Sequence, residues 1–245
     1  MNKKLASQHI FILLHGAWHA SWCWKYVTPL LQQADNFVIE HDFLGHGINV
    51  KDFRRISLKS YTKELVKLVL SQSKPVRLVA HSFAGVMASQ VAEEIPDSIE
   101  QLIYISGVVP EHSHSMMHEF GFSQSRLDDF CHADRIKNEM RFDLSNPEKV
   151  KNLFYQKASQ TDFDFAFKHI QAEPLLPMHQ NVKLTQENFG QVEKKYIACL
   201  EDNIINVKHQ LRMANQANIK NIVKIQSDHS PFFSMPKDLV LAIKA

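Results

Sequence analysis

Ser82 stands where a serine can become a nucleophile. The run Val76-Arg77-Leu78-Val79-Ala80-His81 is short and apolar-rich, and it ends at Ser82-Phe83-Ala84-Gly85, where a helical pattern begins at once. A serine on a sharp strand-to-helix turn has its Oγ pushed above the sheet edge, in position to attack a carbonyl carbon. Such a turn needs small flanking side chains, and Ala80 and Ala84 occupy the positions usually given to glycine. Alone the pattern is weak, because ordinary strand-ending turns match it by chance. Its weight comes from the residues that accompany it.

A serine nucleophile needs a general base, and the base needs an acid to orient it. The chain has fourteen histidines, so a histidine picked at random is a surface residue. His229 is different, because Ser227-Asp228-His229-Ser230-Pro231 directly follows the strand-like run Ile222-Val223-Lys224-Ile225-Gln226. Carboxylates follow another such run, Tyr196-Ile197-Ala198-Cys199-Leu200, as Glu201-Asp202. Position alone does not choose between Glu201 and Asp202, and Glu111, after the run 102–106, is a reserve candidate.

The elements that must hold these residues are legible in the periodicity. Strand-like runs fall at 9–14, 37–41, 76–81, 101–106, 195–199 and 221–226. His9 to Leu14 is almost uninterrupted apolar sequence, as in a strand buried on both faces. Leu58, Tyr61, Leu65, Leu68 and Val69 recur at helical spacing, with Lys59, Lys63 and Lys67 opposite. After the serine, Ala84, Ala88 and Ala92 share a face that can pack closely on a sheet, and Pro96 closes that helix. Strands alternating with helices imply right-handed crossovers and a parallel sheet. Residues 111–190 break this rhythm. They show no convincing buried strand, and they far exceed an ordinary connection of about 2–6 residues. They read as a cap inserted after the fourth strand, which Val150, Leu153, Phe154, Phe163, Phe165 and Phe167 line or brace, most of them as its own small core. Pro174-Leu175-Leu176-Pro177-Met178 reads as an extended return to the main domain.

Taken together, these features resemble the plant methyl esterase and hydroxynitrile lyase branch of the α/β-hydrolase superfamily and its bacterial esterase relatives. The resemblance rests on His15-Gly16-Ala17-Trp18-His19-Ala20-Ser21-Trp22-Cys23-Trp24, Pro29-Leu30-Leu31, Asp42-Phe43-Leu44-Gly45-His46-Gly47, Ala80–Gly85, Glu201–Ile205 and Asp228-His229-Ser230-Pro231-Phe232. It implies an α/β-hydrolase fold: a mostly parallel six-stranded sheet flanked by helices, with a helical cap after the fourth strand. Residues 1–110 and 191–245 would form the core and 111–190 the cap. In relatives the acid is the Asp of an Asp-x-x-Ile setting, which selects Asp202. Ser82, Asp202 and His229 then follow the chain order of this superfamily. The resemblance also assigns the oxyanion hole to the backbone N–H groups of Ala17 and Phe83. Gly16, Trp18 and His81 are carried over as substrate-pocket residues, although Trp18 serves equally well as core packing and His81 as a structural neighbour of the serine. His46 reads as part of a structural turn.

Two positions separate the esterases of this branch from its lyases. The best-known lyases carry threonine where Gly16 stands, and lysine where Ser230 stands, the latter to stabilise departing cyanide. Their absence favours ester hydrolysis over cyanohydrin cleavage. The expected substrate is a small carboxylic ester, such as a methyl ester. A hydroxynitrile lyase-like C–C lyase and a non-hydrolytic small-ligand receptor are the alternatives on the same fold.

Bulk properties fit one soluble α/β domain with an insertion. The chain has 245 residues, 44% of them hydrophobic, and a net charge of +2 with its basic residues scattered. Charge of that size recommends neither nucleic acid nor an acidic membrane as partner. No stretch approaches the ~20 apolar residues of a membrane span, and Met1–Lys4 followed by a short broken apolar run does not make a signal peptide. Three cysteines without C-x-x-C spacing suggest neither a disulfide framework nor a metal site. A cytoplasmic setting, no metal and no cofactor are expected; the resemblance allows a homodimer.

Overall fold

The computed structural model describes residues 9–33, 36–49, 51–120 and 130–245. The Met1–Lys4 stretch and residues 121–129 of the insertion lie outside them. Six strands form the main sheet: β1 (Ile10–Leu14), β2 (Phe37–His41), β3 (Val76–His81), β4 (Ile99–Ile105), and, after the insertion, β8 (Lys194–Cys199) and β9 (Asn221–Ile225). Their spatial order is β2-β1-β3-β4-β8-β9, and every neighbouring pair is parallel.

Burial follows position in that order. Every residue of β1 is buried, and so are most of β3, β4 and β8. These central strands are covered on both faces, which explains their continuous apolar sequences. The edge strands β2 and β9 expose Glu40 and Lys224. Charge at an exposed edge discourages pairing with another chain.

The helix Leu58–Leu70 starts in a reciprocal capping box between Ser57 and Ser60 and buries Leu58, Tyr61, Leu65 and Val69. The helix Ala84–Glu94 begins directly after the Ser82 turn and is buried along almost all its length. Its small residues are a steric requirement. A Cβ on Gly85 would lie 2.3 Å from the Val108 carbonyl oxygen. At the end of the sheet, the buried Lys195 ammonium caps the last helix, Pro236–Lys244, by donating to the carbonyls of Ala242 and Ile243.

The insertion between β4 and β8 is mixed rather than purely helical. Besides the helices Met116–Phe120, Pro147–Phe154 and Gln160–His169, it carries a three-stranded antiparallel sheet. Its strands are β5 (Cys131–Asp134), β6 (Glu139–Phe142) and β7 (Glu173–Pro174). They are short, and β5 exposes His132 and Ala133, so they lack a buried apolar run. Nor is 174–178 extended throughout. Pro174 ends β7 and caps a helical turn, Leu175–His179, which tolerates Pro177 because its first-turn N–H needs no intrahelical partner.

Gly85→Ala forces a methyl group into backbone it cannot displace. We expect a loss of about 1–3 kcal/mol, seen as a fall of several degrees in the thermal unfolding midpoint; an unchanged midpoint would contradict the contact.

Candidate active site

The β3 strand delivers Ser82 to a turn in which its backbone is left-handed, at φ +53°. That conformation costs a non-glycine residue about 1 kcal/mol and survives only where its surroundings enforce it. Here Ser82 N–H donates to the Ile105 carbonyl, and the Ser82 carbonyl accepts from Gly85 and Val108 N–H. The end of β4 therefore grips the turn from one side. The β1 loop closes the other: a Cβ on Gly16 would sit 2.7 Å from His81 Nδ1 and 2.9 Å from Ser82 Cβ.

His229 and Asp202 reach this turn from the loops after β9 and β8. His229 Nε2 lies 3.0 Å from Ser82 Oγ, and His229 Nδ1 lies 2.6 Å from Asp202 Oδ2. With a carboxyl oxygen accepting at Nδ1, the tautomer leaves the Nε2 lone pair facing the serine hydroxyl. All three side chains are buried. The Asp202 carboxyl is itself held by several donors: Ile204 and Ile205 N–H on Oδ1, Ser106 Oγ and Gln210 Nε2 on Oδ2. Gln210 also bonds Cys199 and Ile205, tying this loop to β8. Glu201 is exposed and pairs with Lys157. Glu111 is exposed and bonded to Gln216, away from His229.

Asp228, next to the histidine, serves the loop rather than the ring. It accepts from Ser230 N–H, Ser234 Oγ and Lys157 N–H, and burial raises its pKa. His81 supports His229 from beneath, with Nε2 donating to the His229 carbonyl at 2.7 Å. Ser106, Gln210, Asp228 and the His81–His229 bond were not legible in the sequence. Of these, Ser106 alone carried a faint local signal, as the polar residue just after β4 that matches Ser82 just after β3.

Ala17, Trp18 and Phe83 border the same place. The Ala17 and Phe83 amides are buried, and neither donates to another of the described residues. Buried amides without partners are rare, and these two lie on the loops that flank Ser82. Trp18 lies with its ring edge-on to Phe142 at 4.5 Å and to Phe154 at 6.1 Å. Phe154 in turn stands 5.3 Å from the His229 ring, so Trp18 and Phe154 continue as an apolar wall from the base.

Three buried histidines near the center, His15, His19 and His81, favour the neutral form. Burial pushes His15 and His81 well below their ordinary pKa and His19 down to about 4. Their bonds suit the neutral form: His15 accepts from Phe43 N–H while donating to the Gly16 carbonyl, and His19 accepts from Tyr155 O–H while donating to the Ala17 carbonyl. His41 is likewise lowered by burial to about 4.

Residues 11–243 match the model of the alpha/beta hydrolase family. Methylesterase 7 of Arabidopsis thaliana is 28% identical over 95% of this chain and 94% of its own length. Methyl jasmonate esterase 1 of Vitis vinifera is 30% identical over 94% of this chain and 93% of its own. Among solved structures, a pyrethroid hydrolase from Sphingobium faniae superposes with TM-score 0.87 at 21% identity, covering 97% of this chain and 96% of that one. Polyneuridine aldehyde esterase superposes with TM-score 0.85 at 23% identity, over 97% and 98% of the two chains. The chain belongs to the α/β-hydrolase family. Within it, the chain falls in the plant methylesterase-like branch. No helix among the described residues is long and apolar enough to cross a membrane.

The lowered histidines set a pH dependence of stability. Each binds its proton more weakly folded than unfolded, so the unfolded chain takes up protons first as the pH falls. Their contribution is complete above the ordinary histidine value of about 6.5 and is lost as the pH falls toward about 4. The unfolding midpoint should therefore drop markedly across that window; a flat midpoint would contradict neutral burial.

Proposed function

We propose that this chain is a serine esterase in which Ser82, His229 and Asp202 form a catalytic triad working through an acyl-enzyme. Its chemistry is carboxylic ester hydrolysis, the activity named for its relatives. The observation that carries the reading is the continuous relay from Ser82 Oγ through His229 to Asp202, launched from a serine held in left-handed backbone.

In this mechanism, His229 Nε2 takes the Ser82 hydroxyl proton as Oγ bonds to the ester carbonyl carbon. The carbonyl π electrons move to oxygen, and the oxyanion accepts from the Ala17 and Phe83 N–H groups. When the tetrahedral adduct collapses, the alkoxide leaves with the proton from His229. Water then repeats the sequence on the acyl-enzyme, releasing the acid and restoring Ser82. Asp202 keeps the tautomer and stabilises the imidazolium that forms in each half.

Several observations favour hydrolysis over cyanohydrin cleavage. The space a threonine side chain would need at position 16 is taken by His81 and Ser82. Ser230, where a lysine would stand in the lyases, is fully buried. An apolar wall of Trp18 and Phe154 suits a small, partly apolar acyl group, and a methyl ester fits the branch. On the same footing we assign residues 111–190 as a cap over a core of 1–110 and 191–245. A homodimer and a cytoplasmic setting complete the proposal; the free state of Cys23, Cys131 and Cys199 suits a reducing compartment.

A panel of short p-nitrophenyl and methyl esters tests the assignment. Wild type should turn over, and Ser82→Ala should lose roughly 10⁴-fold or more in kcat with its fold intact. Retained activity in Ser82→Ala would overturn the nucleophile. Lack of turnover by well-folded wild type would favour a lyase or a receptor.

Asp202→Asn preserves shape but removes the acceptor that selects the tautomer, and should lower kcat by about 10⁴. Asp228→Asn and Glu111→Gln should leave catalysis far less affected. A loss at Glu111 equal to that at Asp202 would move the acid.

A further inference from the structure

We infer that Glu173, a buried carboxyl group carried by the insertion, is a positioning residue that fixes the direction of the Ala17 amide. This inference rests on the esterase reading, in which that amide stabilises the oxyanion.

A backbone donor can be aimed only by fixing the peptide planes on either side of it. The plane between Gly16 and Ala17 carries the donor itself. Its carbonyl end is held by the His15 Nδ1–H at 2.8 Å and, more loosely, by His19 N–H at 3.4 Å. The plane between Ala17 and Trp18 is held at both ends. Its carbonyl accepts from His19 Nδ1–H at 2.8 Å, and its N–H donates to Glu173 Oε2 at 2.9 Å. Trp18 occupies left-handed backbone, at φ +63°, which needs outside enforcement as Ser82 does. The Gln171 N–H adds a third tie, donating to the Trp18 carbonyl. Of the two side-chain ties on this plane, His19 belongs to the loop itself, and Glu173 reaches it from the insertion.

The carboxyl group is placed for this task. It belongs to β7, paired with Met140 of β6, and is buried with its partners. Besides Trp18 N–H, Oε2 lies 2.9 Å from His46 Nε2, and Oε1 accepts from the Tyr61 hydroxyl at 3.4 Å. Both Glu173 oxygens thus face donors. An amide cannot reproduce this, because one of its ends must itself donate. His46 of the Asp42–Gly47 turn thus lies against the carboxyl group that holds the loop.

The test compares Glu173→Gln with Asn138→Ala in the full chain. Asn138 also latches the insertion to the core, bonding the Phe53 and Ile56 carbonyls and accepting from Leu176 N–H, and none of these bonds goes to the Trp18 loop. Glu173→Gln should lower kcat roughly 10- to 100-fold, the range expected when a catalytic group is displaced by a fraction of an ångström to 1 Å. KM should stay within about threefold. Inhibition by a trifluoromethyl ketone, whose serine adduct carries an oxyanion, should weaken in parallel. Asn138→Ala should lower the unfolding midpoint while leaving kcat and ketone inhibition near wild type. If Glu173→Gln keeps kcat and ketone inhibition within twofold while wild type is active, the inference fails and the esterase reading stands. If its losses are matched by Asn138→Ala at equal destabilisation, Glu173 is only structural and the inference fails. If wild type neither turns over esters nor binds the ketone at Ser82, the reading and the inference fall together.

Discussion

Everything at this center depends on one strained residue. Ser82 adopts a backbone conformation that its side chain disfavors, and it does so because β3, β4 and the start of the following helix leave it no other. The bond from Val108 to the Ser82 carbonyl explains why Gly85 must lack a side chain. The close approach of Gly16 explains the glycine in the β1 loop. Small residues around the serine are thus consequences of a single turn that must be gripped on every side.

Around that turn the chain uses histidine as a neutral connector. His15, His19 and His81 each donate through one nitrogen to a carbonyl. For His15 and His19 the other nitrogen accepts. Burial favours their uncharged form, so they orient backbone without placing positive charge beside His229. The insertion contributes to the same network. Tyr155 reaches His19, Lys157 reaches the loops bearing Asp202 and His229, and Glu173 reaches Trp18.

The main sheet was legible because its central strands are covered on both faces, so burial writes itself as unbroken apolar runs such as Ile10–Leu14. The residues brought together at the site were legible for a related reason: Ser82, Asp202 and His229 each follow such a run. The choice between Glu201 and Asp202 needed the resemblance, since both follow β8 directly. The antiparallel strands of the insertion were not legible, being short and half exposed. Glu173 and Tyr155 gave no signal at all. Their partners lie 155 and 136 positions away, and no periodicity encodes a contact that only the finished fold creates.

That separation has a bearing on how the molecule comes into being. Ser82 and His229 are 147 positions apart, and β9, which precedes the histidine, pairs only with β8 at one end of the sheet. The first four strands can associate around the serine while the C-terminal strands are still unplaced. Closing such long loops is entropically slow. The bonds that hold the serine turn come from the first four strands and the segments next to them, whereas its contact with His229 requires β9 to be in place as well.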